Sequence, residues 1–334
     1  MRDFLLLGLT LLLTGTIPVT QTKPVAAPPA AVSIQVRRPP QKPYVLRIEE
    51  PPQEGPPSAD ESLIVLLKRG GEVQSVSMRE YLTCVVLSEL YADFSDEAFK
   101  AQIVAARTSA LSTAQKHKHS GCDVCADPGC CQACQTVDTL RQKLGSGFDE
   151  AWARAENAVV ATDGEVLRYD GALCEAVYFS CSGGRTEDAV AVWGGNVPYL
   201  RSVASPGEEA AKPYASTVRV SAEQARNTLT AAMLDGAPPT WIGETTRTAG
   251  GGVASVTIGG ARYSGAQIQR LFGLASTNFT VAAEENGLVF SVLGSGHRVG
   301  MSQFGAEAMA RQGSTYREIL AHYYTGASIE RYEA

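Results

Sequence analysis

Most of the chain's 17 prolines fall between residues 20 and 60, in runs such as KPVAAPPAAV, RRPPQKP and EEPPQEGPPSADES. Proline locks φ and has no N–H to donate, so a stretch this dense builds neither a helix interior nor a sheet ladder. Residues 21–61 are therefore expected to form an extended, disordered linker. In front of it stands MRDFLLLGLTLLLTGTIPVTQT, an apolar run from Phe4 to Val19 behind a single Arg. The run is short for a membrane span unless its threonines count, and it fits a signal peptide or a signal anchor. No clean A-x-A site follows directly, the nearest being PVAA at 24–27, so residues 1–20 are read as an uncleaved anchor. Structure is expected to begin near Ser62.

The chain has 334 residues, 44% of them hydrophobic, enough for a sizeable core and more than one small domain. Its net charge is −6, and no basic run exceeds two arginines. Phosphate binding needs clustered Lys and Arg, so nucleic acid is excluded as a partner, whereas an uncharged sugar polymer is not.

The periodicity beyond Ser62 reads as α+β. SLIVLLKRGGEVQSVSM gives two strands around Gly70-Gly71. Ser77 and Glu80 form an S-x-x-E signal opening a helix, whose apolar stripe is Leu82, Val85 and Val86. Glu89 is the next residue on that stripe. A second helix follows Ser95, with Phe99, Ile103, Ala106 and Ala110 on its packed face and Arg107 pointing the same way. Two neighbouring helices thus each carry one charge where a hydrophobe is expected. A helix over about 149–161 and a hairpin turning at Asp170-Gly171 come next. These belong to a region spanning 62–215. A second α+β region spans 216–334, with helices capped at Ser221 and Ser264, hairpins at 250–252 and EENG, and a glycine-rich loop, GSGHRVGMSQFG, running into a helix.

Several residues suit chemistry. A carboxyl on an apolar helix face is desolvated, which raises its pKa. A general acid for glycoside cleavage needs this, since it must hold a proton near neutral pH. The competing reading of Glu89 is a helix-end side chain that reaches water or pairs with Arg107. Arg107 either orients that carboxyl, binds substrate oxygens, or forms a buried salt bridge without a catalytic role. The segment HKHSGCDVCADPGCCQAC holds five cysteines and spaces His119, Cys125 and Cys131 six apart. Thiolates and imidazole separated by turns suit tetrahedral zinc, with local disulfides the alternative. No helical H-E-x-x-H exists, so a structural rather than catalytic zinc is expected. His297 sits in a glycine-rich loop that approaches a ligand or packs the lobes together. Ser180 and Ser182 lie in YFSCSGG, and no G-x-S-x-G supports a serine nucleophile. Cys84, Cys174 and Cys181 read as small core residues.

Three stretches resemble the stage II sporulation protein D / amidase-enhancer family: REYLTCVVLSELYADFSDEAFKAQIVAARTSAL, DGEVLRYDGALCEAVYFSCSGGRTEDAVAVWGGNVPYLRSV and GSGHRVGMSQFGAEAMARQGSTYREILAHYYTG. The resemblance implies a two-lobed α+β fold with a central substrate cleft, 62–215 forming the catalytic lobe and 216–334 completing the cleft. It implies a lytic transglycosylase acting on peptide-free peptidoglycan strands during engulfment of a forespore. Glu89 stands at the family's catalytic Glu and Arg107 at its Arg of the following helix. His119, Cys125 and Cys131 match its zinc ligands, and Ser180, Ser182, Gly183, His297 and Gln303 become candidates for substrate binding. Implied partners are the amidase stage II sporulation protein P and the membrane protein stage II sporulation protein M. The implied place is the engulfing cell membrane, with the globular part outside the cytoplasm. The family also contains wall-binding enhancers of an amidase, the alternative to an enzyme. The chain departs from the family pattern at Leu90-Tyr91, where Met-Pro is usual, at Cys130 in place of a His, and at SCSGG for STSGG.

Overall fold

A computed structural model describes residues 58–333. The expected anchor and nearly all of the expected linker lie outside the described residues. No helix among the described residues is long and apolar enough to cross a membrane. The folded part starts earlier than expected. Ser58 caps a short helix, α1 (Ala59–Ser62), by accepting from the Glu61 N–H. The Ala59 and Asp60 N–H groups donate to the Asp163 carboxylate at 3.1 and 2.9 Å. Residues 58–61 therefore belong to the fold and not to the linker.

Strands β1 (Ile64–Arg69) and β2 (Glu72–Ser77) form the expected hairpin, with Gly70 and Gly71 at φ +57° and +94°. These left-handed values are what a tight two-residue turn requires. The Ser77 hydroxyl accepts from the Glu80 N–H at 3.2 Å and opens α2 (Met78–Glu89). Helix α3 (Asp96–Gln115) packs beside it. A short strand β3 (Val124–Cys125) adds parallel to β1, and α4 (Val137–Leu144) and α5 (Phe148–Ala161) close the first core. Leu82, Val85, Val86, Phe99 and Ile103 are fully buried there, as the helical period demands. Strands β4 (Glu165–Tyr169) and β5 (Ala172–Leu173) turn at Asp170-Gly171, both at positive φ. Short pieces follow: β6 (Tyr178–Phe179), β7 (Gly184–Arg185), α6 (Ala189–Trp193) and β8 (Ala204–Ser205).

The second lobe is an insertion. It comprises β9 (Ala215–Ser221), α7 (Ala222–Thr228), β10 (Ile242–Arg247), β11 (Val253–Ile258), β12 (Ala261–Ser264), α8 (Gly265–Phe272), β13 (Phe279–Glu284) and β14 (Gly287–Leu293). Two antiparallel sheets, ordered β10-β11-β12 and β13-β14-β9, enclose a core of their own around Val256, Ile268 and Phe290. The chain then returns to the first lobe. Strand β15 (Met301–Ser302) pairs with β6, α9 (Gln303–Arg311) and α10 (Tyr316–Tyr323) pack on α3, and β16 (Ser328–Arg331) pairs with β4. The expected boundary at 216–334 is thus corrected: the separate lobe ends near Leu293. Met301, Ile319, Leu320 and Tyr323 are buried against Ala101, Val104 and Ala105 of α3. An apolar stripe says which face is buried, not which partner buries it.

Candidate active site

Glu89 is the last residue of α2. Its Oε1 accepts from the Ala133 backbone N–H at 2.7 Å, and its Oε2 accepts from Gln303 Nε2 at 3.3 Å. The Cys-rich loop and the first residue of α9 therefore meet at this one carboxyl. Burial raises its pKa, and this outweighs the Ala133 and Gln303 hydrogen bonds, the Tyr178 hydroxyl and the charge of Lys143, which all favour ionisation. The C-terminal end of a helix carries partial negative charge and disfavours an anion there too.

The carboxyl opens into a cavity of about 500 Å³ lined by Ser88, Leu90, Tyr91, Lys143, Ser180 and Phe304 among others. Among the described residues, Glu89 is the single carboxylate in that lining. The loop is fixed by a short polar chain: the Tyr178 hydroxyl donates to Gln132 Oε1 at 2.7 Å, and Gln132 Nε2 donates to the Tyr81 hydroxyl at 2.9 Å.

The structure brings only some of the sequence candidates together. Ser180 and Gln303 line the Glu89 cavity. Ser182 does not: its hydroxyl donates to buried Glu208 at 2.8 Å and it is fully buried. Gly183, at φ +70°, lets two loops touch, since a Cβ there would sit 2.7 Å from the Gly294 nitrogen. The His297 ring packs at 5.5 Å from Phe179 and 5.3 Å from Trp193, its Nδ1 accepts from the Val299 N–H, and burial pushes its pKa down to about 4. It is not among the residues lining the Glu89 cavity.

Arg107 and Glu89 share no hydrogen bond and line different cavities. The Arg107 guanidinium is fully buried. Its Nε donates to Asp60 Oδ1 at 2.8 Å, its Nη2 pairs with the other Asp60 oxygen, and its Nη1 donates to the Glu165 carbonyl at 2.9 Å. Of the three roles open to Arg107, the structure shows the buried salt bridge, which clamps α1 and β4 onto α3 and lies apart from Glu89. Its charge on a packed face is explained by Asp60, which lies within the segment expected to be linker.

His119, Cys125 and Cys131 converge as expected, and Cys130 joins them, all four ligand atoms lying within 4.8 Å of one another. His119 Nε2 is 3.1 Å from Cys131 Sγ and 3.9 Å from Cys130 Sγ. Ligands of a tetrahedral zinc stand about 3.5–3.8 Å apart given its usual bond lengths, so one imidazole and three thiols fit such an ion. Cys122 and Cys134 lie outside the cluster. Cys134 Sγ instead accepts from Arg69 Nη2 at 3.2 Å and neighbours Cys84.

Sequence reasoning missed Ala133, Tyr178 and Lys143. A backbone N–H leaves no trace in residue type, and Tyr178 looked like an ordinary strand residue.

Fold and site together define an α+β protein with a partly buried acid, Glu89, opening into a cavity and braced by a thiol-rich loop. A family model described as SpoIID, stage II sporulation protein, matches residues 68–169. The chain is 35% identical over 264 residues to stage II sporulation protein D of Bacillus amyloliquefaciens, covering 77% of this chain and 75% of the relative. It is 34% identical over 269 residues to the protein of the same name from Bacillus subtilis, covering 78% and 77%. An amidase enhancer of Bacillus subtilis is 27% identical over 302 residues, covering 74% of this chain and 40% of that relative. The chain belongs to the stage II sporulation protein D family.

Proposed function

We propose that the protein is a lytic transglycosylase that cleaves peptide-free glycan strands of peptidoglycan during sporulation, with Glu89 as its acid and base. The observation that carries this reading is the Glu89 carboxyl, whose pKa burial raises and which opens to a cavity with no second carboxylate among the described residues. Glu89 donates its proton to the glycosidic oxygen between N-acetylmuramic acid and N-acetylglucosamine, and an oxocarbenium-like state develops. The 6-hydroxyl of the same muramic acid attacks the anomeric carbon and gives its proton to Glu89, leaving a 1,6-anhydro sugar. The nucleophile is internal, so the second carboxylate of an ordinary glycosidase is dispensable. Gln303 and the Ala133 N–H orient the carboxyl and support it when ionised.

His119, Cys125, Cys130 and Cys131 would hold a structural zinc, a closed four-ligand site that cross-links the loop carrying Ala133. The chain would be anchored by its N-terminal apolar run, with the globular part outside the cytoplasm, beside stage II sporulation proteins P and M. Mass spectrometry of peptide-free strands after incubation with the purified chain tests the activity: anhydro-muramic ends are expected. Intact strands would favour the second reading, a non-catalytic wall-binding enhancer of an amidase, which the name of the amidase-enhancer relative supports.

A further inference from the structure

Tyr91 stands two residues beyond Glu89, past the end of α2, and is 57% exposed. Its ring centroid is 5.7 Å from those of Phe94 and Phe304, which meet edge to face at 5.2 Å. Phe94 is buried and Phe304 half-buried, so two covered rings support one open ring. All three line both the Glu89 cavity and a second cavity of about 350 Å³. The second cavity is also lined by the small side chains of Ala210 and Ala211, by Lys212 and Arg311, and by Asp93 and Glu307. A glycan strand cut in its interior must be held on both sides of the broken bond. A sugar ring offers an apolar face of C–H bonds and a rim of oxygens. The face of an aromatic ring is electron-rich and attracts C–H hydrogens, while an ammonium donates to oxygens.

We propose that Tyr91, supported by Phe94 and Phe304, is a sugar-stacking shelf that carries the glycan strand from Glu89 into the second cavity. This rests on the reading of Glu89 as the acid for a glycan substrate. The strand lies with one sugar at Glu89 and the next with its C–H face on Tyr91, and its oxygens reach Lys212. The exposure of Tyr91 then has a purpose that core packing does not supply.

Calorimetry with the full-length Glu89→Gln chain reads binding without turnover, using N-acetylglucosamine oligomers of three and six sugars as probes. The six-sugar oligomer is expected to bind more tightly. Adding Tyr91→Ala should weaken it about tenfold, the worth of one good aromatic contact, whereas Tyr91→Phe keeps the affinity. Ala210→Trp should weaken the six-sugar probe by filling the second cavity. Unchanged six-sugar affinity in a folded Tyr91→Ala protein overturns the shelf. If the shelf pattern appears but the wild-type chain makes no anhydro product, catalysis fails while the shelf stands. If strands are cleaved and Tyr91→Ala binds normally, the shelf alone fails.

Discussion

The Ala133 N–H donates to Glu89 Oε1 at 2.7 Å, two residues beyond Cys131 of the thiol cluster. A loop that looks built only to hold a metal thus also positions the candidate acid. Its integrity and the chemistry at Glu89 are coupled through that backbone hydrogen bond and through Tyr178, whose hydroxyl donates to Gln132 of the loop and favours ionisation of Glu89.

That coupling sets the behaviour of the cluster. Zinc is expected to co-purify at about one ion per chain, as a four-ligand site implies. Cys130→Ser should lower the stoichiometry measured by elemental analysis, and Cys122→Ser, outside the cluster, should not. Chelation should reduce strand cleavage and lower the melting temperature together. Full occupancy in Cys130→Ser would remove it from the ligand set.

Glu89→Gln should lower cleavage by about 10²–10⁴-fold, the range for losing a general acid. It should also stabilise the protein at neutral pH. Burial raises the Glu89 pKa in the folded state, so the folded chain binds the proton more tightly than the unfolded one. Stability contributed by the protonated form is complete below the unfolded value, near 4.5. It is lost as pH rises through the raised folded value. The variant's gain in melting temperature should therefore appear above that window and vanish below it. A gain independent of pH would contradict the buried-acid assignment.

Gln303→Leu tests positioning rather than catalysis. Its Nε2 donates to Glu89 Oε2 and favours the carboxylate. Removing it should raise the Glu89 pKa further and move the alkaline limb of the pH–rate profile upward. A lower rate with an unshifted limb would mean that Gln303 acts elsewhere.

Arg107→Ala should unfold the protein more than it harms chemistry. Removing one member of a buried ion pair costs about 3–5 kcal/mol, and Asp60 would be left without its partner. Deleting residues 1–57 should leave the melting temperature nearly unchanged, while deleting 1–61 removes Asp60 and should lower it much as Arg107→Ala does. Activity per folded molecule near wild type is the expected companion result. A stable but inactive Arg107→Ala protein would return Arg107 to the reaction.

Much of this was legible in residue order. The Ser77 cap, the apolar stripe ending at Glu89 and the Asp170-Gly171 turn are local, and local signals survive in a sequence. The expected end of the linker failed because Asp60 is held by Arg107 and Asp163, about fifty and a hundred residues away. The lobe boundary failed for a similar reason: nothing in Met301 or Tyr323 says that its packing partner is α3. At the site, the type and face of Glu89 were readable, whereas the Ala133 N–H was not, because every residue but proline has one.

The return of the chain to β4 has a consequence for the order in which the protein can assemble. At one end Ala59 and Asp60 bind the Asp163 carboxylate, and at the other β16 pairs with β4 while the Tyr332 N–H donates to the Gly164 carbonyl. The lobe bearing Glu89 is thus closed by residues that follow the inserted lobe. The inserted lobe, 215–293, pairs its strands with one another, Ala215 meeting Leu293 across its widest span, and needs none of the residues beyond 300 for that pairing. Long-range pairing is slow because the loop must close before any contact rewards it. A nascent chain halted before residue 300 should therefore hold a protease-resistant second lobe beside an open, helix-rich first lobe. In such a chain Glu89 would lack its hydrogen bond from Gln303.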